Sequence, residues 1–115
     1  MKGDIRQYET VARQAFDAAY LIALEAAQHH QRNPNPATAK AMNAAYDAML
    51  VPLSQYYAVA ELRTGRISLP PVLHRRLNRL NGLTGRRPDM RFSRIMTDAF
   101  REALATLSSY MRSRP

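Results

Sequence analysis

The chain has 115 residues, no cysteine and a formal net charge of +8, with 46% hydrophobic and 23% charged residues. That composition excludes full disorder, and the absence of cysteine excludes a disulfide framework, a thiolate nucleophile and a Cys-based zinc site. A single domain of this size buries only about 65% of its unfolded surface, so stability is expected to be modest unless the chain oligomerises.

The charge is unevenly placed. Residues 1–58 balance Lys2, Arg6, Arg13, Arg32 and Lys40 against Asp4, Glu9, Asp17, Glu25 and Asp47. Residues 59–115 hold twelve Arg and no Lys against Glu61, Asp89, Asp98 and Glu102, so the whole net charge lies there. Codon bias accounts for Arg over Lys but not for the lopsided placement. A neutral half joined to a basic half implies that the basic half meets something anionic, with nucleic acid the first candidate.

Asp4 is placed to cap a first helix, with Gln7 three residues on. Ile5, Tyr8, Ala12, Ala15, Ala19, Ile22 and Ala26 follow helical spacing on one face, while Val11, Phe16, Leu21 and Leu24 add apolar groups on others. Such a helix is buried on several sides or shared with a partner, hence an expected homodimer. Its apolar run at 18–24 is far short of the ~20 residues of a membrane span. With acidic residues where a secretory leader carries positive charge, the expectation is a soluble, cytoplasmic protein without membrane contact.

Asn33-Pro34-Asn35-Pro36 ends the first helix, and Asn35 followed by Pro36 starts the next. Met42, Ala45, Tyr46, Met49 and Leu50 form its apolar face. Pro52 predicts a kink or a fresh turn, after which Leu53, Tyr56, Tyr57, Ala60 and Leu62 continue the pattern. Residues 1–62 thus read as a helical hairpin for dimerisation or partner binding, and 63–115 as a separate basic module. In that module Arg66-Ile67-Ser68-Leu69 alternates with period two. After Pro70-Pro71 a third helix places Leu73, Leu77 and Leu80 on one face and Arg75, Arg76 and Arg79 outside. Thr84-Gly85 closes it. After the basic loop Arg86-Arg87-Pro88, a last helix carries Ile95, Met96, Ala99, Ala103, Leu104 and Leu107, with Asp89 or Ser93 as its cap. The tail from Arg112 to Pro115 is expected to fray.

The order strand, proline, helix, glycine turn, capped helix over residues 64–107 resembles the ribbon–helix–helix family of dimeric DNA-binding repressors. It does so through Arg66-Ile67-Ser68-Leu69-Pro70, then Leu73, Leu77 and Leu80, then Thr84-Gly85-Arg86, and Ser93, Ile95 and Ala99. The resemblance implies a mainly α fold in which two chains pair their strands into a ribbon that enters the major groove of duplex DNA. Thr64, Arg66 and Ser68 would then face base edges, and Ile67, Leu69, Leu73, Leu77 and Ile95 the dimer core. Ser93 at the start of the last helix, with Arg86, Arg87, Arg91 and Arg94, would meet phosphate. The alternative is an all-α helical bundle, in which Arg63-Thr64-Gly65 is a helix end and residues 67–69 a linker.

Other constellations carry less. Gly82-Leu83-Thr84-Gly85 before Arg86-Arg87 matches a nucleic-acid-clamping GXXG loop, but that module needs a three-stranded sheet and the chain has no segments for one. His29 and His30 point about 100° apart on a helix, which makes no two-ligand metal face. His74 reads as a surface residue of the basic helix. Tyr46, Tyr56 and Tyr57 sit in the neutral half and read as packing residues, and Met42, Met49 and Met96 as core filling. Neither a cofactor nor an enzyme is expected, since no catalytic motif appears. The functional expectation is a small dimeric transcriptional regulator binding duplex DNA. The alternative is a helical antiactivator-type protein that binds a transcription factor, or another acidic protein, without touching DNA.

Overall fold

The computed structural model describes residues 4–112, and the tail expectation for residues 113–115 lies outside them. Four helices make up the described chain: α1 (Ile5–Arg32), α2 (Pro36–Thr64), α3 (Pro71–Thr84) and α4 (Arg94–Arg112).

Local chemistry sets their ends. The Asp4 carboxylate accepts from the Gln7 N–H at 2.8 Å and caps α1. At α2 the pairing is reciprocal: the Thr38 N–H donates to Asn35 Oδ1 at 2.9 Å, and the Asn35 N–H donates to Thr38 Oγ1 at 3.1 Å. Gly65 and Gly85, both at φ 71, close α2 and α3 in the left-handed conformation that glycine tolerates. Ser93 Oγ accepts from the Met96 N–H at 3.2 Å, so Ser93 caps α4. Asp89 instead accepts from the Arg91 N–H in the preceding turn.

α1 and α2 form an antiparallel hairpin. Glu9 meets Arg63 at one end, and His30 Nδ1 lies 2.8 Å from Thr38 Oγ1 at the other. α3 runs back from the α2 terminus, and its Asn81 reaches Tyr46. α4 starts beside Leu50 and ends with Tyr110 edge-on to Tyr8. α3 leans chiefly on α1, and α4 chiefly on α2.

The core draws on all four helices, with Phe16, Tyr20, Tyr46, Met49, Leu53, Leu73, Leu77, Leu80 and Met96 in its main cluster. A second cluster joins Ala58 and Val59 of α2 to Ala103 and Leu107 of α4. Pro52 neither ends α2 nor starts a new helix. It sits buried inside a continuous helix, beside the Ser54 hydroxyl, which donates to the Leu50 carbonyl at 2.8 Å.

Three expectations need correction. The ribbon–helix–helix fold is absent: no strand occurs among the described residues, and the all-α alternative describes the chain. The reason is visible at both ends of the proposed strand. Thr64 belongs to α2, its hydroxyl donating to the Ala60 carbonyl at 2.8 Å, and Gly65 is the helix cap. Leu73 and Leu77, which a ribbon dimer needs at its seam, are already buried in their own chain's core, in the same cluster as Phe16 and Tyr20. Second, α1 turns a different face inward, through Ala12, Phe16, Tyr20, Ala23 and Ala27. Alanine is so frequent in α1 that several stripes look equally apolar, and the bulk of Phe16 and Tyr20 decides. Third, no fresh helix starts at Pro52, since α2 runs as one helix from Pro36 to Thr64.

Candidate functional site

Three of the five acids of the neutral half are turned toward arginines of the basic half. Glu9 pairs with Arg63 at 3.0 Å, Asp17 with Arg76 at 2.7 Å and Asp47 with Arg86 at 2.7 Å. These contacts cross-link α1 and α2 to α2, α3 and the following loop. They leave Arg66, Arg75, Arg79, Arg87, Arg101 and Arg112 without a side-chain hydrogen bond or ion pair among the described residues.

Two of these free cations stand in an open groove of about 580 Å³ between α1 and α3. One wall is Asp17, Tyr20, Leu21 and Leu24, and the other is Val72, Arg75, Arg76 and Arg79. The register of α3 produces the second wall, because Leu73, Leu77 and Leu80 point into the core and Val72, Arg75 and Arg79 flank them. Leu21 is 62% exposed and Val72 46% exposed, so the groove has an apolar strip open to solvent. Asp17 adds no negative charge to the opening, since Arg76 neutralises it while lying 5.7 Å from the Tyr20 ring centroid.

The residues expected to bind DNA are dispersed. Arg66, Ile67 and Ser68 lie on the exposed link between α2 and α3, with Ile67 47% exposed where a dimer core was expected. Leu69 is partly buried against the chain's own core, and Ile95 is exposed on α4. Arg86, Arg87, Ser93 and Arg94 do converge on a second groove of about 430 Å³, together with Tyr46, Asp47, Leu50, Asp89 and the exposed Phe92. Within it Arg86 is held by Asp47 and lies 4.4 Å over the Tyr46 ring, and Arg94 reaches Asp98 at 3.9 Å. Arg91 is bound by Asp89, whose carboxyl its hydrogen bonds hold below the usual range. Arg87 is left as this groove's free cation. The Tyr46 hydroxyl donates to Asn81 Oδ1 at 2.9 Å, and burial pushes its pKa up to about 12 against the opposing pull of Arg86.

The α1–α3 groove was not identified as a unit from the sequence. Its signals were present separately, as the surplus apolar groups Leu21 and Leu24 on α1 and the outward arginines of α3. No group of three potential metal ligands occurs among the described residues, and none of the described helices is long and apolar enough to cross a membrane. No protein-family model matches the chain, and neither does any curated protein or solved structure.

Proposed function

We propose that this chain is a small cytoplasmic regulator, not an enzyme, that works by binding another protein in the manner of an antiactivator that captures a transcription factor. The observation that carries this reading is the placement of unpaired Arg75 and Arg79 beside exposed Leu21 and Val72 in one groove. An acidic protein surface answers both the charge and the apolar strip, whereas a phosphate backbone answers only the charge. The DNA reading has lost its base-reading element with the ribbon. A helix-turn-helix does not replace it, because α3 and α4 lean on different helices. What remains for DNA is charge attraction without sequence preference.

Self-association belongs to the same reading. Val11 and Ile22, at 59% and 61% exposure, share one side of α1 with exposed Ala15 and Ala18, away from the groove. A second copy laid antiparallel across this stripe sets Val11 against Ile22 and Ala15 against Ala18. The small pair then sits at the close crossing and the large pair where the helices diverge. Two copies joined this way meet through their electrically neutral halves.

The test is an anisotropy titration against mixed-sequence duplex DNA at low and moderate salt, alongside an acidic protein domain of similar size. Salt-resistant binding to the protein supports the proposal. Tight, sequence-dependent binding to DNA would overturn it.

A further inference from the structure

The geometry points to the occupant of the α1–α3 groove: we propose an amphipathic helix of the partner protein, with an apolar face and an acidic edge. This inference rests on the protein-capture reading and narrows it to one surface and one kind of ligand. Arg75 and Arg79 lie one helical turn apart, about 6 Å along the α3 axis. Carboxylates at positions i and i+4 of an incoming helix stand at the same spacing, so each guanidinium meets its own acid. Between that edge and α1, exposed Leu21, half-buried Leu24 and exposed Val72 offer a strip for the incoming helix's apolar residues, spaced i, i+3 or i+4, and i+7.

Other occupants fit worse. A small anion or a fatty acid carries one negative centre and leaves one of the two arginines unanswered. Duplex DNA engages the arginines but leaves Leu21 and Val72 facing a hydrated backbone. A neutral apolar helix covers the leucines but strips water from two cations without replacing it, which is costly. Asp17 does not repel an acidic ligand, because Arg76 holds its carboxylate at 2.7 Å. The same contact pins α3 to α1, so the two walls are set before a ligand arrives.

The experiment uses the full chain and a fluorescein-labelled peptide of about 18 residues, with leucines on one helical face and glutamates along one edge. A scrambled peptide of identical composition and a duplex DNA of similar length serve as competitors. Arg75, Arg79 and Leu21 are exposed, so the double variant Arg75→Glu/Arg79→Glu and the variant Leu21→Asp are expected to keep the parent's circular dichroism. The patterned peptide should bind at least about tenfold more tightly than the scrambled one. The double variant should lose about tenfold or more, and a peptide with lysines in place of the edge glutamates should restore binding to it. Leu21→Asp should weaken the patterned peptide while leaving the scrambled one unchanged.

Equal binding of both peptides, indifference to Leu21→Asp, or no peptide binding at all would overturn the groove assignment. In those cases the wider reading survives if the chain still binds the acidic protein domain, and falls with it if DNA displaces every acidic ligand.

Discussion

Arg86 and Asp47 meet at 2.7 Å across the junction between α2 and the loop after α3, with the Arg86 guanidinium 4.4 Å over the ring of Tyr46. The same guanidinium reaches Asn43 Oδ1 at 3.3 Å, so this arginine fastens the loop to α2. Its neighbour Arg87 is exposed and makes no side-chain hydrogen bond or ion pair among the described residues. Two adjacent arginines therefore have separable roles. The ion pair is more than a third exposed, so its share is small, and the stacking on Tyr46 adds about 0.5–1 kcal/mol. Arg86→Ala is expected to lower stability by about 1 kcal/mol in urea denaturation, and Arg87→Ala to leave the midpoint unchanged. Equal effects would show that the loop is not fastened through Arg86.

Tyr46 makes alkaline stability a readable quantity. Its folded pKa, pushed up to about 12, lies above the unfolded value near 10, so its contribution is complete below pH 10. That contribution is lost as pH rises through 12, and two pKa units correspond to about 2–3 kcal/mol. Burial raises Tyr8, Tyr56 and Tyr57 in the same direction, so the parent should lose stability steeply above pH 10. Tyr46→Phe should cost about 1 kcal/mol at neutral pH, through the lost bond to Asn81, and flatten the alkaline decline. Urea midpoints measured from pH 8 to about 12 give both numbers.

Much of the helical layout was legible in the sequence because it depends on local chemistry. Asn35 with Pro36, Thr84 with Gly85, and the Leu73–Leu77–Leu80 spacing each act within a turn or two of chain. The inward face of α1 was not legible, because many small residues give every stripe similar apolar character and only tertiary packing selects Phe16 and Tyr20. The false strand at residues 66–69 has a related cause. Four residues of alternating polarity fit a strand and an exposed link equally well, and what decides is Gly65, which closes α2 in the left-handed conformation. The pairing of Asp17 with Arg76 and of Asp47 with Arg86 spans 59 and 39 residues, beyond what spacing rules reach.

The linker makes a sharp prediction of its own. A strand at a dimer seam would make Ile67→Ala destabilising and Arg66→Ala harmful to sequence-specific DNA binding. With Ile67 on an exposed link, its replacement by Ala should change stability by no more than about 0.5 kcal/mol. Leu80, fully buried in the main cluster, should cost about 2–5 kcal/mol when replaced by Ala. A large loss at Ile67 in thermal or urea unfolding would mean that this segment packs against something outside the single chain.

The outer stripe of α1 carries the last prediction. From Val11 to Ile22 it runs about 16 Å along the helix, with Ala15 and Ala18 between two branched residues that are each about 60% exposed. Among the described residues it stays open to solvent. An antiparallel pairing of two copies would bury all four residues twice over and oppose the two helix dipoles. Sedimentation at micromolar concentration should show a dimer, and Val11→Glu/Ile22→Glu should sediment as a monomer with unchanged helix content. Because the chain has no cysteine, Ala15→Cys/Ala18→Cys supplies a direct check of register. Oxidation should trap a covalent dimer through a bond between position 15 of one copy and position 18 of the other. A well-folded parent monomer under these conditions would remove this pairing, while leaving the groove on the α3 side as a site for one partner helix per chain.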